Sequence, residues 1–223
     1  MAVQDYFSYL LNPLQLLRTK KVLQVNPTVV SQRAEPEETK LTVYDYNIDR
    51  IDIKALKKVS DCFPYIDPQT VSWINVDGLR KDDVESICKH FGVHYLITED
   101  ILSLGQRPKM DEIDGLLFCL LNMLYFNDKD SAVEIEQISI VLGKNFVISF
   151  QEDATRDVFN PLRERLKVGN TKVRQNGSDF LFYALIDMIV DNYYVVMEKL
   201  GEKKLKGLKK ILYAAPTPEA WLK

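Results

Sequence analysis

Two pairs of carboxylates are the residues whose type and spacing could do chemistry. Glu99 and Asp100 are adjacent inside an otherwise apolar segment, Tyr95-Leu-Ile-Thr-Glu-Asp-Ile-Leu102. Asp187 and Asp191 lie four residues apart in the most apolar part of a long helical pattern. An acidic side chain on a mostly buried face costs free energy unless it is paired, hydrogen-bonded or bound to a cation. One reading has Asp187 and Asp191 paired with nearby Arg or Lys while Glu99 and Asp100 cap helix ends, since buried acids are usually paired. The other has them bind a metal. An all-oxygen, carboxylate-only set favours Mg²⁺ or Ca²⁺ over zinc or copper.

Other chemistries are poorly supplied. The sequence has no G-x-x-x-x-G-K-[ST] phosphate loop, no G-x-G-x-x-G and no G-x-S-x-G elbow. His90 and His94 have the i,i+4 spacing of a shared metal site, but Gly92 lies between them and ends the helix that would align them. Cys62, Cys88 and Cys119 are far apart and form no C-x-x-C pair, which fits reduced cysteines in a core. Nothing makes a positive case for an enzyme. The net charge of −3 gives no global pull toward nucleic acid or an anionic membrane. No N-terminal stretch reads as a secretory signal. No unbroken run reaches about 18 apolar residues. Asn122 interrupts the stretch 116–126, and Asp187, Asp191 and Asn192 interrupt the stretch 180–197. The expectation is therefore a soluble chain without a membrane span.

The elements that must position these acids follow from periodicity and turn chemistry. Residues 1–40 read as an irregular lead-in with Pro27, Pro36 and clustered glutamates. Residues 41–46 and 71–76 alternate and are rich in β-formers, so both are expected strands, the second ended by Asp77-Gly78. A short helix is expected over 50–59. Asp82-Asp83 open a further helix that Gly92 closes, and another follows over 95–103. Residues 113–126 read as one long, buried strand. A hairpin is expected from residues 136–142 and 146–151 across Gly143-Lys144-Asn145. From Asp157 the chain turns helical, with Pro161 near a helix start. Ser178 is the expected cap of a helix of some 35 residues, against a mean of about 11–12. Helices of that length commonly pack against copies of themselves. The order of strands and helices implies an α/β layer arrangement.

At these residues the sequence resembles the cytosolic domain of the CorA family. The resemblance is carried by Trp73-Ile-Asn-Val-Asp-Gly78, by Phe91-Gly-Val-His94 leading into Glu99-Asp-Ile-Leu102, and by Gln106-Arg-Pro-Lys109. It continues through residues 136–142, 145–152 and 159–165, then Asp179-Phe-Leu-Phe-Tyr-Ala-Leu-Ile-Asp187 and Val190-Asp-Asn-Tyr193. It implies an α/β/α sandwich with a central mixed sheet over 41–175, and over 176–223 the start of a long stalk helix that leads to transmembrane helices beyond Lys223. It implies a homopentameric channel for Mg²⁺ that also passes Co²⁺, with the domain on the cytoplasmic face of the membrane and no nucleic-acid partner.

In that family, cytosolic Mg²⁺ binds between subunits and favours the closed state. The matching metal residues are Glu99 and Asp100 on one subunit, facing Asp187 on the next, with Mg²⁺ replaceable by Co²⁺ or Ca²⁺. A further acid belongs along the stalk past Lys223. A related zinc transporter's soluble domain, or a freestanding adaptor, would share the architecture. One departure is the segment 199–210, with six lysines against the single Glu202. It reads as a solvated basic face or as a surface that tunes cation attraction.

Overall fold

Two strands set the architecture. β3 (Val71–Asp77) and β7 (Phe146–Gln151) are buried along almost their whole length, their apolar residues interleaved with a few buried polar ones. A strand of this kind must be covered on both faces. The two pair in parallel, from Ser72 opposite Phe146 to Asp77 opposite Gln151. All other pairings in the seven-stranded sheet, ordered β2-β1-β3-β7-β6-β5-β4, are antiparallel. The remaining strands are β1 (Lys40–Tyr46), β2 (Ile51–Leu56), β4 (Lys109–Ile113), β5 (Leu116–Asn127) and β6 (Ala132–Leu142). The computed structural model describes residues 36, 38–128, 132–153 and 156–214, with side chains through residue 205. The expected lead-in lies outside these residues up to position 35 and at 37, as do Pro216 and Pro218.

Each face of the sheet carries its own core. On one face Ile74, Val76, Ile148 and Phe150 pack against Val84, Ile87, Ile97 and Ile101 of helices α1 (Lys81–His90) and α2 (Tyr95–Leu102). On the other, Trp73, Ile138, Ile140 and Val147 pack against Leu162, Leu166, Leu181, Leu185 and Ile189. Those side chains belong to α3 (Asn160–Lys167) and α5 (Ser178–Ala214), with α4 (Lys172–Gln175) between them. The mixed sheet with helices on both sides, followed by a helix of 37 residues, agrees with the expected class.

Most expected elements are present, and four expectations are corrected. Residues 51–56 form an edge strand rather than a helix. Asn47 closes the turn to β1, its Oδ1 accepting from the backbone N–H of Asp49 and Arg50 at 3.0 and 2.9 Å. The expected single strand over 113–126 is broken at Asp114-Gly115, whose φ values of 54° and 78° make the tight turn between β4 and β5. Ser178 does not cap α5 by accepting a hydrogen bond. Its Oγ donates toward the carbonyls of Gly143 and Lys144 at 2.9 and 2.8 Å, tying the start of α5 to the β6–β7 turn.

The fourth correction concerns a membrane span. Residues Ser178–Leu205 of α5 are long and apolar enough to cross a membrane by length and composition, because such a window tolerates Asp187 and Asp191. A third of that window is buried within the domain, so packing on the sheet accounts for part of its apolarity. Gly92 does end α1 as expected. With φ of 71° it lets the Val93 N–H reach the Cys88 carbonyl at 2.8 Å, the closing bond of a Schellman motif.

A polar line crosses the second core at the parallel ladder. Trp73 Nε1 donates to Ser149 Oγ at 2.9 Å, and Ser149 Oγ donates to Asn75 Oδ1 at 2.8 Å. Asn75 Nδ2 in turn donates to both oxygens of Asp77, at 3.1 and 3.0 Å. Beyond it Arg163 pairs with Asp157 and lies over the Trp73 ring at 5.2 Å. Ser149→Ala leaves the Trp73 indole N–H and Asn75 Oδ1 unpaired in a buried core. Such orphaned groups cost about 2–4 kcal/mol together, which urea unfolding will read as a lower midpoint at unchanged slope.

Asp77 gives a pH-dependent test of the same line. Burial, and then the Asp157 charge, push its carboxyl above the ordinary value of 3.8, against the opposing hydrogen bonds from Gln151 and Asn75. The folded state then keeps a proton that the unfolded chain has released, so this group's contribution to stability falls as pH rises from 3.8 through the raised value. Asp77→Asn keeps an acceptor oxygen and abolishes the titration. Its stability relative to wild type is expected to rise from acid toward neutral pH in urea melts.

Candidate metal site

Glu99 and Asp100 sit in the last turn of α2. This helix starts where Schellman closure turns the chain after α1, and His94 caps it, with Nδ1 accepting from the Leu96 N–H at 3.3 Å. Ile97, Thr98 and Ile101 are buried and anchor α2 to the sheet, which leaves Glu99 and Asp100 toward solvent. Glu99 is exposed, has no ion-pair partner among the described residues, and opens onto a groove of ≈ 380 Å³ that Glu85, Lys89 and Tyr95 also line. Asp100 is more buried, with about a fifth of its side chain exposed. Its Oδ2 accepts from Lys109 Nζ at 2.5 Å, and the same ammonium lies 3.3 Å from Asp111 Oδ2.

The end of α2 is held from below by a buried amide. Gln137 on β6 donates through Nε2 to the carbonyls of Asp100 and Ser103, at 3.2 and 2.9 Å. Its Oε1 accepts from the Gln106 N–H at 3.2 Å. These bonds satisfy carbonyls that every helix end leaves open, and they fix the Asp100 backbone to the sheet. Sequence reasoning missed both Lys109 and Gln137 as parts of the site. Lys109 belongs to the quoted Gln106–Lys109 motif, so a signal existed. Its pairing depends on β4 running beside α2, which spacing alone does not reveal.

Asp187 lies elsewhere. It sits on α5, across the sheet from α2, half-exposed, with the Tyr183 hydroxyl 3.4 Å from its Oδ1. Neither Asp187 nor Asp191 has an ion-pair partner among the described residues, so the expected pairing with Arg or Lys is not observed. Glu99 and Asp100 are therefore neighbours in the last turn of α2 that turn different ways, Asp100 to Lys109 and Glu99 to the groove, while Asp187 lies on the other face of the sheet. Among the described residues no group of three or more His, Cys, Asp or Glu converges on one metal position.

The other candidate ligands are accounted for. The His90 ring stacks on Phe63 with centroids 4.0 Å apart, its Nε2 3.0 Å from the Phe63 carbonyl. All three cysteines are buried and free. Burial pushes the Cys62 thiol up to about 12 and those of Cys88 and Cys119 up to about 11, so none is a ready thiolate. The acids that remain are hard oxygen donors, the chemistry suited to Mg²⁺.

The lysine-rich part of α5 is partly anchored. Lys199 Nζ lies 3.3 Å from Asp128 Oδ2, and Lys203 donates to the Asp128 carbonyl at 3.3 Å. Both ammonium groups sit over the Phe126 ring, at 5.7 and 4.8 Å. At least these two lysines clasp the end of β5 rather than simply facing solvent.

Comparison with known proteins agrees with this architecture. The family model described as CorA-like Mg2+ transporter protein matches residues 68–219. The cobalt/magnesium transport protein CorA of Thermotoga maritima is 36% identical over 168 residues, which is 75% of this chain and 48% of that protein. Among solved structures, full-length CmaX superposes with a TM-score of 0.63 at 14% identity, covering 83% of this chain and 55% of that one. The CorA magnesium transporter of Methanocaldococcus jannaschii gives 0.55 at 17% identity, covering 80% and 53%. Both likenesses show a shared fold. The chain spans about half the length, or less, of curated relatives it matches, 48% and 42% for two of them. The family model covers most of the chain and the Thermotoga maritima protein is 36% identical over 75% of it, so the chain belongs to the CorA-like Mg²⁺ transporter family.

Proposed function

We propose that this domain is the cytosolic, Mg²⁺-sensing part of a CorA-type divalent-cation channel and has no catalytic role of its own. The observation that carries the reading is the acidic pair at the end of α2, where Glu99 is exposed and has no ion-pair partner among the described residues. In this reading Mg²⁺ bridges Glu99 and Asp100 of one copy to Asp187 of a neighbour in a homopentamer, and Co²⁺ or Ca²⁺ can substitute. The placement of the acids on opposite faces of one sheet supports a site shared between copies, since one chain does not bring them together.

The surroundings of Asp187 support it too. Tyr183, Val190, Tyr194 and Met197 are exposed and recur with Asp187 at alternating four- and three-residue steps, an apolar stripe along one side of α5. A second copy covering that stripe would bring its own α2 acids to Asp187. The carboxylates of two copies repel one another until a cation binds, so Mg²⁺ favours the assembled, closed arrangement by differential binding. Mg²⁺ keeps several of its waters, so few direct ligands suffice.

The expected outcome is that about 20 mM Mg²⁺, above the weakest class of oxygen-ligand site, raises the chain's sedimentation-derived mass and its resistance to protease. Glu99→Ala combined with Asp100→Ala is expected to abolish both effects, with only a small fall in the thermal midpoint from the lost Asp100–Lys109 pair. Protection by Zn²⁺ alone would indicate a zinc-transporting relative. Absence of any Mg²⁺ effect on the wild-type chain would remove the sensing role.

A further inference from the structure

Lys109 already places a positive charge against Asp100. Its ammonium lies 2.5 Å from Asp100 Oδ2 and 3.3 Å from Asp111 Oδ2, and 5.9 Å from the centre of the Phe118 ring beneath. Asp100 and Asp111 are held by separate elements, α2 and β4, and Lys109 is the link between their carboxylates. β4 pairs with β5, placing Asp111 opposite Phe118 and Lys109 opposite Leu120, while Gln137 fixes the backbone of Asp100. The two carboxylates therefore have rigid supports. The lysine, on a flexible stem, is the part free to move.

The geometry points to Lys109 as a tethered competitor that fills the Mg²⁺ position at Asp100 and withdraws to Asp111 when the metal binds. This inference rests on the sensing reading above and names how that site is set. Three features favour exchange over a permanent ion pair. The ammonium already touches both carboxylates, so leaving Asp100 does not strand it without a partner. The pair is partly open to solvent, with about a third of the lysine side chain and a fifth of the Asp100 side chain exposed, so Mg²⁺ and water have access. Glu99, one residue away, carries no ion pair among the described residues and supplies the additional negative charge that a divalent ion gains over a monovalent one.

The competitor sets a threshold. A metal must displace an ammonium from Asp100 before it binds there, which lowers the apparent affinity by the strength of that ion pair. A partly exposed pair of this kind corresponds to a factor of up to about five in affinity. Monovalent cations gain too little from Glu99 and Asp100 to displace Lys109, so the arrangement also discriminates by charge.

The test is an Mg²⁺ titration of the 223-residue chain, read by protease resistance and by sedimentation, for wild type and four variants. Lys109→Met is expected to shift the Mg²⁺ midpoint down about fivefold. Lys109→Arg, which keeps the charge, should leave the midpoint near wild type. Asp111→Asn removes the landing place and should move the midpoint up. Asp100→Asn should abolish the response. Thermal melts without metal check that each variant folds, and Lys109→Arg reports the charge effect independently of the packing lost in Lys109→Met. If wild type responds and Asp100→Asn does not, but Lys109→Met leaves the midpoint unmoved or higher, the competitor role is wrong and the sensing role stands. If wild type itself shows no response, both fall.

Discussion

The parallel ladder between β3 and β7 is the constraint on which the rest of the molecule depends. It joins two antiparallel groups, β2-β1-β3 and β7-β6-β5-β4, into one sheet. Because both strands are buried on both sides, the sheet is covered twice, once by α1 and α2 and once by α3 and α5. That double cover puts Glu99 and Asp100 on one side and Asp187 on the other. A fold with one open sheet face would have allowed all three acids to gather within one chain.

The ladder also carries most of the dry polar chemistry. The hydrogen-bonded run from Trp73 through Ser149 and Asn75 to Asp77 crosses from β3 to β7 and back. Register errors between the two strands would break it, since a one-residue slip of β7 turns Ser149 to the other face, away from Trp73 and Asn75. The Arg163–Asp157 pair closes the end of the line against Trp73. These acids sit near the C-terminal ends of parallel strands, where α/β sheets often bind ligands. Here their hydrogen-bonding groups largely meet one another, so they serve as internal bracing.

How much of this was legible in the sequence depended on whether the deciding contact was local. The end of α1 at Gly92 and the β6–β7 hairpin were readable because a left-handed glycine and a short turn are encoded where they occur. The Asp114-Gly115 turn is equally local, an Asp-Gly turn signal standing one residue inside the expected strand. The strand over 51–56 was misread because it is an edge strand, exposed along its middle, with only β1 to hold it. Ser178, Lys109 and Gln137 were not readable in their roles. Ser178 and Gln137 act on partners far away in the chain, Gly143 and Asp100, while Lys109 reaches Asp100 nine residues back only because β4 runs beside α2. The candidate acids themselves were legible as types. What sequence could not supply was that Asp100 already holds an internal cation and Glu99 does not.

The proposed account places a cation between copies of the chain, with α2 of one facing α5 of the next. Complementation between two damaged chains tests that arrangement most directly. Asp100→Asn and Asp187→Asn chains are each expected to show no Mg²⁺-dependent increase in sedimentation-derived mass. Mixed in equal amounts, they are expected to recover part of it, since one supplies an intact α2 pair and the other an intact Asp187. If the mixture stays as unresponsive as its components, or if the Asp187→Asn chain alone responds like wild type, the shared site does not exist.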